Sequence, residues 1–354
     1  MHLLPLLHLI LFPLVVAAHP SYGVKPPTTY YTVHQFPNQT WLENIAIRSN
    51  GQLLLTVIGR PELYLVDPAN PKTAQLLHTF PNATSLMGID EVRPDEFAIV
   101  AGNWSLDTFQ ATKGSYSIWT VTIPKKWKAN SEGGGNQHRK ADSNGLVVRK
   151  AASIPEAAFL NGLATLDSST GTVLVADSAA GLIYRVSINN GSYSVALKDS
   201  TMNQDPSQPA FYPGVNGIKL HGGFAYFTNS GKGTFTRVKI GQDGTARGAY
   251  EVVSTPGLLD DFRFDPEDSE DGTPIAWATT DPGNVLKRIK ADGSAVTVLG
   301  ALNDTAIAGN TACVFGKGKS DTRILYVATN GGIVNPVNGF IEGGKVIAVA
   351  VDKL

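Results

Sequence analysis

Hydrophobic and polar positions along this chain alternate in short bursts, broken by glycine, asparagine and proline. The bursts are rich in Val, Ile, Leu, Tyr and Thr and run for five to eight residues, the signature of strands rather than helices. One unit recurs: a strand ending in Gly or Asn, a short turn, and a second strand ending in Asp or Lys. It reads GQLLLTVIGRPELYLVDP at 51–68, DEFAIVAGN…YSIWTVTIP at 95–124, GTVLVADSAAGLIYRVSI at 171–188 and GGFAYFTNSGKGTFTRVKI at 222–240. PIAWATTDPGNVLKRIKADG at 274–293 and RILYVATNGG…GGKVIAVAVD at 323–352 complete the set.

Ahead of each pair lies a shorter strand with a polar or small start: Glu43-Asn-Ile-Ala-Ile, Met87-Gly-Ile-Asp-Glu, Asn161-Gly-Leu-Ala-Thr, Asn216-Gly-Ile-Lys-Leu, Asp260-Asp-Phe-Arg-Phe and Thr311-Ala-Cys-Val-Phe. The third position is always apolar. An Asn-Gly pair between apolar runs ordinarily reads as a type I′ hairpin turn, because both residues accept positive φ. Repetition in register argues instead for one structural address used in every unit. Six such units predict an all-β chain folded as a six-bladed β-propeller rather than a pair of β-sandwiches, since radial repetition leaves only short protected edges. TTYYTVHQF at 28–36 is expected to pair beside 346–351, so that N- and C-terminal strands close one blade. The widest interval between units holds KANSEGGGNQHRKADSNGL at 128–146, read as a polar, mobile excursion of the second blade.

Composition narrows the function. The 354 residues carry a formal net charge of −1, which leaves no basic footprint for nucleic acid. MHLLPLLHLILFPLVVAAHP reads as a secretory signal cleaved near Ala18, the apolar run being shorter than the ~20 residues that span a bilayer. The mature chain, 19–354, is then expected as one propeller domain with no membrane span, a monomer sent to the exterior, a vesicle or a vacuole. Sequons at Asn38, Asn82, Asn103, Asn190 and Asn303 agree with that route. The only cysteine, Cys313, excludes intrachain disulfides and cysteine-based zinc sites, and reads as a small core residue.

A propeller gathers distant positions at its channel. The address residues are Glu43, Met87, Asn161, Asn216, Asp260 and Thr311, with Asp261 as a register alternative to Asp260. Two carboxylates and two amides are oxygen donors of the type hard cations take, so Glu43, Asn216 and Asp260 form a candidate set for calcium or zinc, with Asn161 nearby. The same residue types also satisfy turn backbone. Trp41, Met87, Phe159, Phe211, Tyr212, Phe262 and Thr311 are candidates to line an apolar cup. No Gly-x-Ser-x-Gly elbow or His-Glu-x-x-His motif occurs.

The phrases WLENIAIRSNGQLLLTV, ELYLVDP, FLNGLATL, GVNGIKL and LDDFRFD resemble the secreted fungal branch of the SMP-30/gluconolactonase/LRE-like propellers over nearly the whole mature chain. In lactonases of the wider superfamily, the resemblance implies a divalent cation held by the equivalents of Glu43, Asn216 and Asp260, with Asn161 accessory. Here Glu43-Asn44-Ile45 stands where those lactonases have Glu-Gly-Pro, which adds bulk at the ion position. The fungal branch is similar to hetero-Diels–Alderases of secondary metabolism. These join a tropolone- or phenol-derived o-quinone methide to a sesquiterpene alkene such as a humulene, and that resemblance implies no required cofactor. Asn161 or Asn216 would donate a hydrogen bond to the heterodiene oxygen, with Glu43 and Asp260 beside them. A metal-dependent lactonase and a binding propeller without catalysis are the other two functions the residues allow.

Overall fold

The computed structural model describes residues 30–125, 127, 145–209, 212–318 and 320–351. The expected leader, residues 128–144 of the polar excursion and Phe211 lie outside them. Six four-stranded antiparallel sheets form the blades. Their innermost strands are Trp41–Ile47, Ser85–Arg93, Leu160–Asp167, Val215–His221, Phe262–Phe264 and Asn310–Phe315, here numbered blades 1 to 6. Each of the six two-strand units read from the sequence supplies the middle of one blade. The expected closure is present: Tyr30–Gln35 pairs with Lys345–Ala350, with Tyr30 opposite Val349 and Gln35 opposite Lys345. The excursion leaves from Ser117–Thr122 and returns into Val147–Ser153, which pair with each other in blade 2.

Trp41–Ile47, Leu53–Ile58 and Asn310–Phe315 are buried at every residue, because both faces of these strands pack against neighbouring blades. Cys313 is part of this core, its Sγ 3.4 Å from the Trp277 carbonyl. Among the described residues no helix is long and apolar enough to cross a membrane.

The repeated address is a β-bulge. The register of the inner strand slips at Glu43 in blade 1, at Met87-Gly88 in blade 2, at Asn161-Gly162 in blade 3, at Asn216-Gly217 in blade 4 and at Thr311 in blade 6. In blade 5, Asp260 and Asp261 exchange hydrogen bonds with Thr279 just ahead of the paired strand. A bulge gives one strand an extra residue and re-aims its side chain. In blades 1, 3 and 4 it turns Glu43, Asn161 and Asn216 toward one cavity.

The glycines that follow have a separate cause. None of Gly88, Gly162 or Gly217 has positive φ, so these pairs are not I′ turns. A Cβ on Gly88 would lie 2.5 Å from the Asn161 carbonyl oxygen, one on Gly162 2.2 Å from that of Asn216, and one on Gly217 2.3 Å from Asp261 Oδ1. Each glycine lets the next blade's address residue approach. Hydroxyls stitch the same joints: Thr56 donates to the Met87 carbonyl, Ser178 to Val215, Thr279 to Thr311 and Thr311 to Leu42. Gly162→Ala therefore forces blades 3 and 4 apart, and overpacking of this kind costs about 1–3 kcal/mol. Its unfolding midpoint should fall by a few degrees. Gly248→Ala, whose Cβ meets nothing closer than 3.6 Å, should leave the midpoint unchanged.

Candidate functional site

The bulges bring Glu43, Asn161, Asn216 and Asp260 to the wall of one cavity, together with Trp41, Phe159 and Tyr212. Its empty space is about 550 Å³, counting the open mouth. Three of the candidate lining residues lie elsewhere. Met87 is fully buried in the core shared by blades 2 and 3. Phe262 is fully buried between Phe235 and Phe264. Thr311 spends its hydroxyl on the Leu42 and Ala328 carbonyls. A bulge aims only the side chain at its extra position, and in blades 2 and 6 that side chain packs between blades instead.

The register ambiguity resolves to Asp260. Asp261 turns away from the cavity and accepts from Lys219 Nζ at 2.7 and 2.8 Å and from Asn44 Nδ2 at 2.9 Å. The side chain that distinguishes Glu43-Asn44-Ile45 thus holds a carboxylate of blade 5 from across the ring.

Two features of the wall lie outside the sequence expectation. Residues 103–112 form a small arm whose two-residue strands, Trp104–Ser105 and Gln110–Ala111, carry Trp104 and Phe109 to the cavity. Their rings meet each other edge-on at 5.4 Å, and Trp41 contacts both. The signal was present in length alone, because the segment between strands 96–102 and 117–122 is too long for a hairpin loop. The second is Asp281, which lies in the turn that follows blade 5's second strand, Ile275–Ala278, and lines the cavity beside Pro282. Nothing in its local sequence separates it from a turn aspartate.

Three carboxylates therefore line one cavity, and each is anchored by a neutral donor on one oxygen only. Trp41 Nε1 donates to Glu43 Oε2 at 2.8 Å, Asn216 Nδ2 to Asp260 Oδ1 at 2.7 Å, and Asn330 Nδ2 to Asp281 Oδ2 at 2.9 Å. The second oxygen of each accepts no hydrogen bond among the described residues, and Asp281 Oδ1 is buried as well. Burial pushes the Glu43 carboxyl up to about 8, against the Trp41 hydrogen bond and with repulsion from Asp281 and Asp261 adding to it. Burial lifts Asp281 to about 7, partly offset by the Asn330 bond. Asp260 is raised well above the ordinary carboxylate range by burial and then by the charge of Glu43. At neutral pH the cavity holds carboxylic acids that retain protons, because burial disfavours their charged forms and neighbouring carboxylates repel one another.

The two amides differ. Both hydrogens of Asn216 Nδ2 are spent, one on Asp260 and one on Ser230 Oγ at 2.9 Å. The Asn161 side chain is only 4% exposed, faces the cavity, and makes no hydrogen bond among the described residues. Four of the sequon asparagines, Asn38, Asn82, Asn190 and Asn303, are exposed, whereas Asn103 is half-buried at the base of the arm.

No family model matches the chain. Two curated relatives do. A protein of Phoma sp. described as "Putative hetero-Diels-Alderase" is 26% identical over 322 residues, covering 84% of this chain and 86% of the relative. Another of Sarocladium schorii, described as "Putative hetero-Diels-Alderase asR5", is 25% identical over 336 residues, covering 85% and 78%. Among solved structures, regucalcin, a calcium-binding protein of Agrobacterium tumefaciens, superposes with a TM-score of 0.57 at 15% identity, covering 92% of this chain and 93% of that one. A luciferin-regenerating enzyme superposes at 0.59 with 12% identity, covering 91% and 95%. The chain is thus similar along most of its length to proteins named as hetero-Diels–Alderases, and it has the six-bladed propeller fold of regucalcin-like proteins.

Proposed function

We propose that the cavity catalyses a hetero-Diels–Alder cycloaddition between an o-quinone methide, derived from a tropolone or phenol, and a sesquiterpene alkene such as a humulene. The observation that carries this reading is Asn161, a buried amide with an unspent N–H in an aromatic-walled cavity. The relatives' names support the reaction class.

A cycloaddition forms one carbon–carbon and one carbon–oxygen bond and releases nothing, so it needs no nucleophile. It needs two apolar partners held face to face, which Trp41, Trp104, Phe109, Phe159 and Tyr212 offer. Charge builds on the heterodiene oxygen as the bonds form. A donor fixed in place before the reaction stabilises that charge more in the transition state than in the ground state. Asn161 Nδ2 is that donor, and the protonated oxygens of Glu43 and Asp260 hold the heterodiene's other polar groups. The apolar wall keeps water from the quinone methide. We take the enzyme as a monomer that follows the secretory route, on the leader-like residues 1–18 and the exposed sequons.

A second reading rests on the free oxygens of Glu43, Asp260 and the Asn216 carbonyl. These could hold a hard cation, which would polarise a lactone carbonyl and activate water. One experiment separates the two. Purified protein, dialysed against chelator, is given a generated quinone methide and humulene. Accelerated, stereoselective adduct formation that survives chelation is the expected result. Turnover lost to chelator and restored by calcium would move the assignment to the metal-dependent reaction.

A further inference from the structure

The cavity carries one acid more than the cycloaddition reading uses, since Asp281 has no part in it. Among the described residues it is lined by Glu43, Asp260 and Asp281 and by no Lys, Arg or His side chain. Two lysines of the surrounding blades are committed elsewhere: Lys219 is bound to Asp261, and Lys345 to Glu342 and the Thr305 carbonyl. Each carboxyl group keeps one oxygen free, and a cation seated beside it favours the charged form, so its proton leaves to solvent and the oxygen accepts. The buried Asn161 amide adds an unpartnered carbonyl on the same wall.

We propose that this cavity binds a primary ammonium on an aromatic or apolar body, the –NH3+ shared among the free oxygens of Glu43, Asp260 and Asp281 and the body held by the Trp41–Trp104–Phe109 wall. Three donors on one nitrogen match acceptors spread around a cavity wall. Among the described residues no three His, Cys, Asp or Glu side chains converge at metal-ligand spacing. An ammonium meets its acceptors at hydrogen-bond length, about 2.8–3.0 Å, and so tolerates a wider ring of oxygens than a bare divalent ion does. The faces of Trp41, Trp104 and Phe109 attract such a cation further and take up its apolar body. The inference is independent of the cycloaddition reading: an amine would occupy the same cavity as substrate or as inhibitor.

The test is calorimetric titration of the purified chain with phenethylammonium chloride and with 2-phenylethanol, its uncharged analogue, at neutral pH and low salt. The amine is expected to bind at least tenfold more tightly than the alcohol. Asp281→Asn and Glu43→Gln should each remove most of that preference while unfolding as cooperatively as the parent. Equal affinity for the alcohol, or an amine preference that survives both substitutions, overturns the proposal. So does one-to-one uptake of calcium chloride that excludes the amine, since the carboxylates would then serve a metal.

Discussion

Asn161→Leu is expected to lower kcat for the cycloaddition by roughly 100- to 1000-fold, the usual effect of removing one fixed donor from a developing oxyanion. KM should change little, because the bond strengthens in the transition state and the apolar partners are held by the aromatic wall. The fold should be unharmed. Asn161 makes no hydrogen bond among the described residues, so leucine leaves no partner unpaired. Asn216→Leu should behave differently. It strips the anchoring donor from Asp260 and from Ser230, so it costs folding stability before it costs rate. Steady-state kinetics and thermal unfolding on the same two variants distinguish these roles. Full activity in Asn161→Leu would remove Asn161 from the reaction.

The second large effect is on stability, and it runs opposite to activity. The Asp281 carboxyl is lifted from an ordinary 3.8 to about 7 by burial. Between those values the folded chain holds a proton that the unfolded chain has released. Stability therefore falls as pH rises across that window, and the penalty is complete above it. Asparagine cannot ionise, and its side-chain oxygen can still accept from Asn330 Nδ2. Asp281→Asn should thus match the parent near pH 4 and exceed it near pH 8 by roughly 2–4 kcal/mol, since each tenfold gain in proton affinity is worth about 1.4 kcal/mol and the window spans about three pH units. Denaturant unfolding at the two pH values reads the difference directly. Equal stability near pH 8 would mean that Asp281 is not held in a desolvated place. Glu43, lifted from 4.5 to about 8 by the same cause, should follow the same rule in Glu43→Gln. Retention of destabilising carboxylates at one cavity is the usual sign of a site kept for function rather than for folding.

Much of this molecule was legible before its structure. Strand periodicity, the six paired units and the shared polar start are local properties, and local hydrogen-bonding geometry turns them into blades. The closing strand at 30–35 was readable because a ring of repeats leaves one unpaired place. Glu43, Asn161, Asn216 and Asp260 were found by position alone, since radial repetition converts equal register into equal distance from the axis.

What remained hidden depends on contacts between blades. The sequence treats Met87 and Thr311 as equivalents of the polar positions and Phe262 as a residue lining the cup. Only packing shows that Met87 and Thr311 fill inter-blade joints and that Phe262 belongs to an aromatic core. Asp260 and Asp261 are adjacent and chemically identical. Lys219 and Asn44, from blades 4 and 1, decide which of them turns away. Asp281 and the arm bearing Trp104 and Phe109 lie outside the repeat, so no periodicity marks them. The sequence by itself determined the architecture and the ring of address positions, because both follow from short-range pattern. The tertiary structure alone decided which amide is free to donate, which carboxylates share the cavity and which proton each retains. Those properties are set by burial and by partners far away along the chain, as Asn44 is from Asp261.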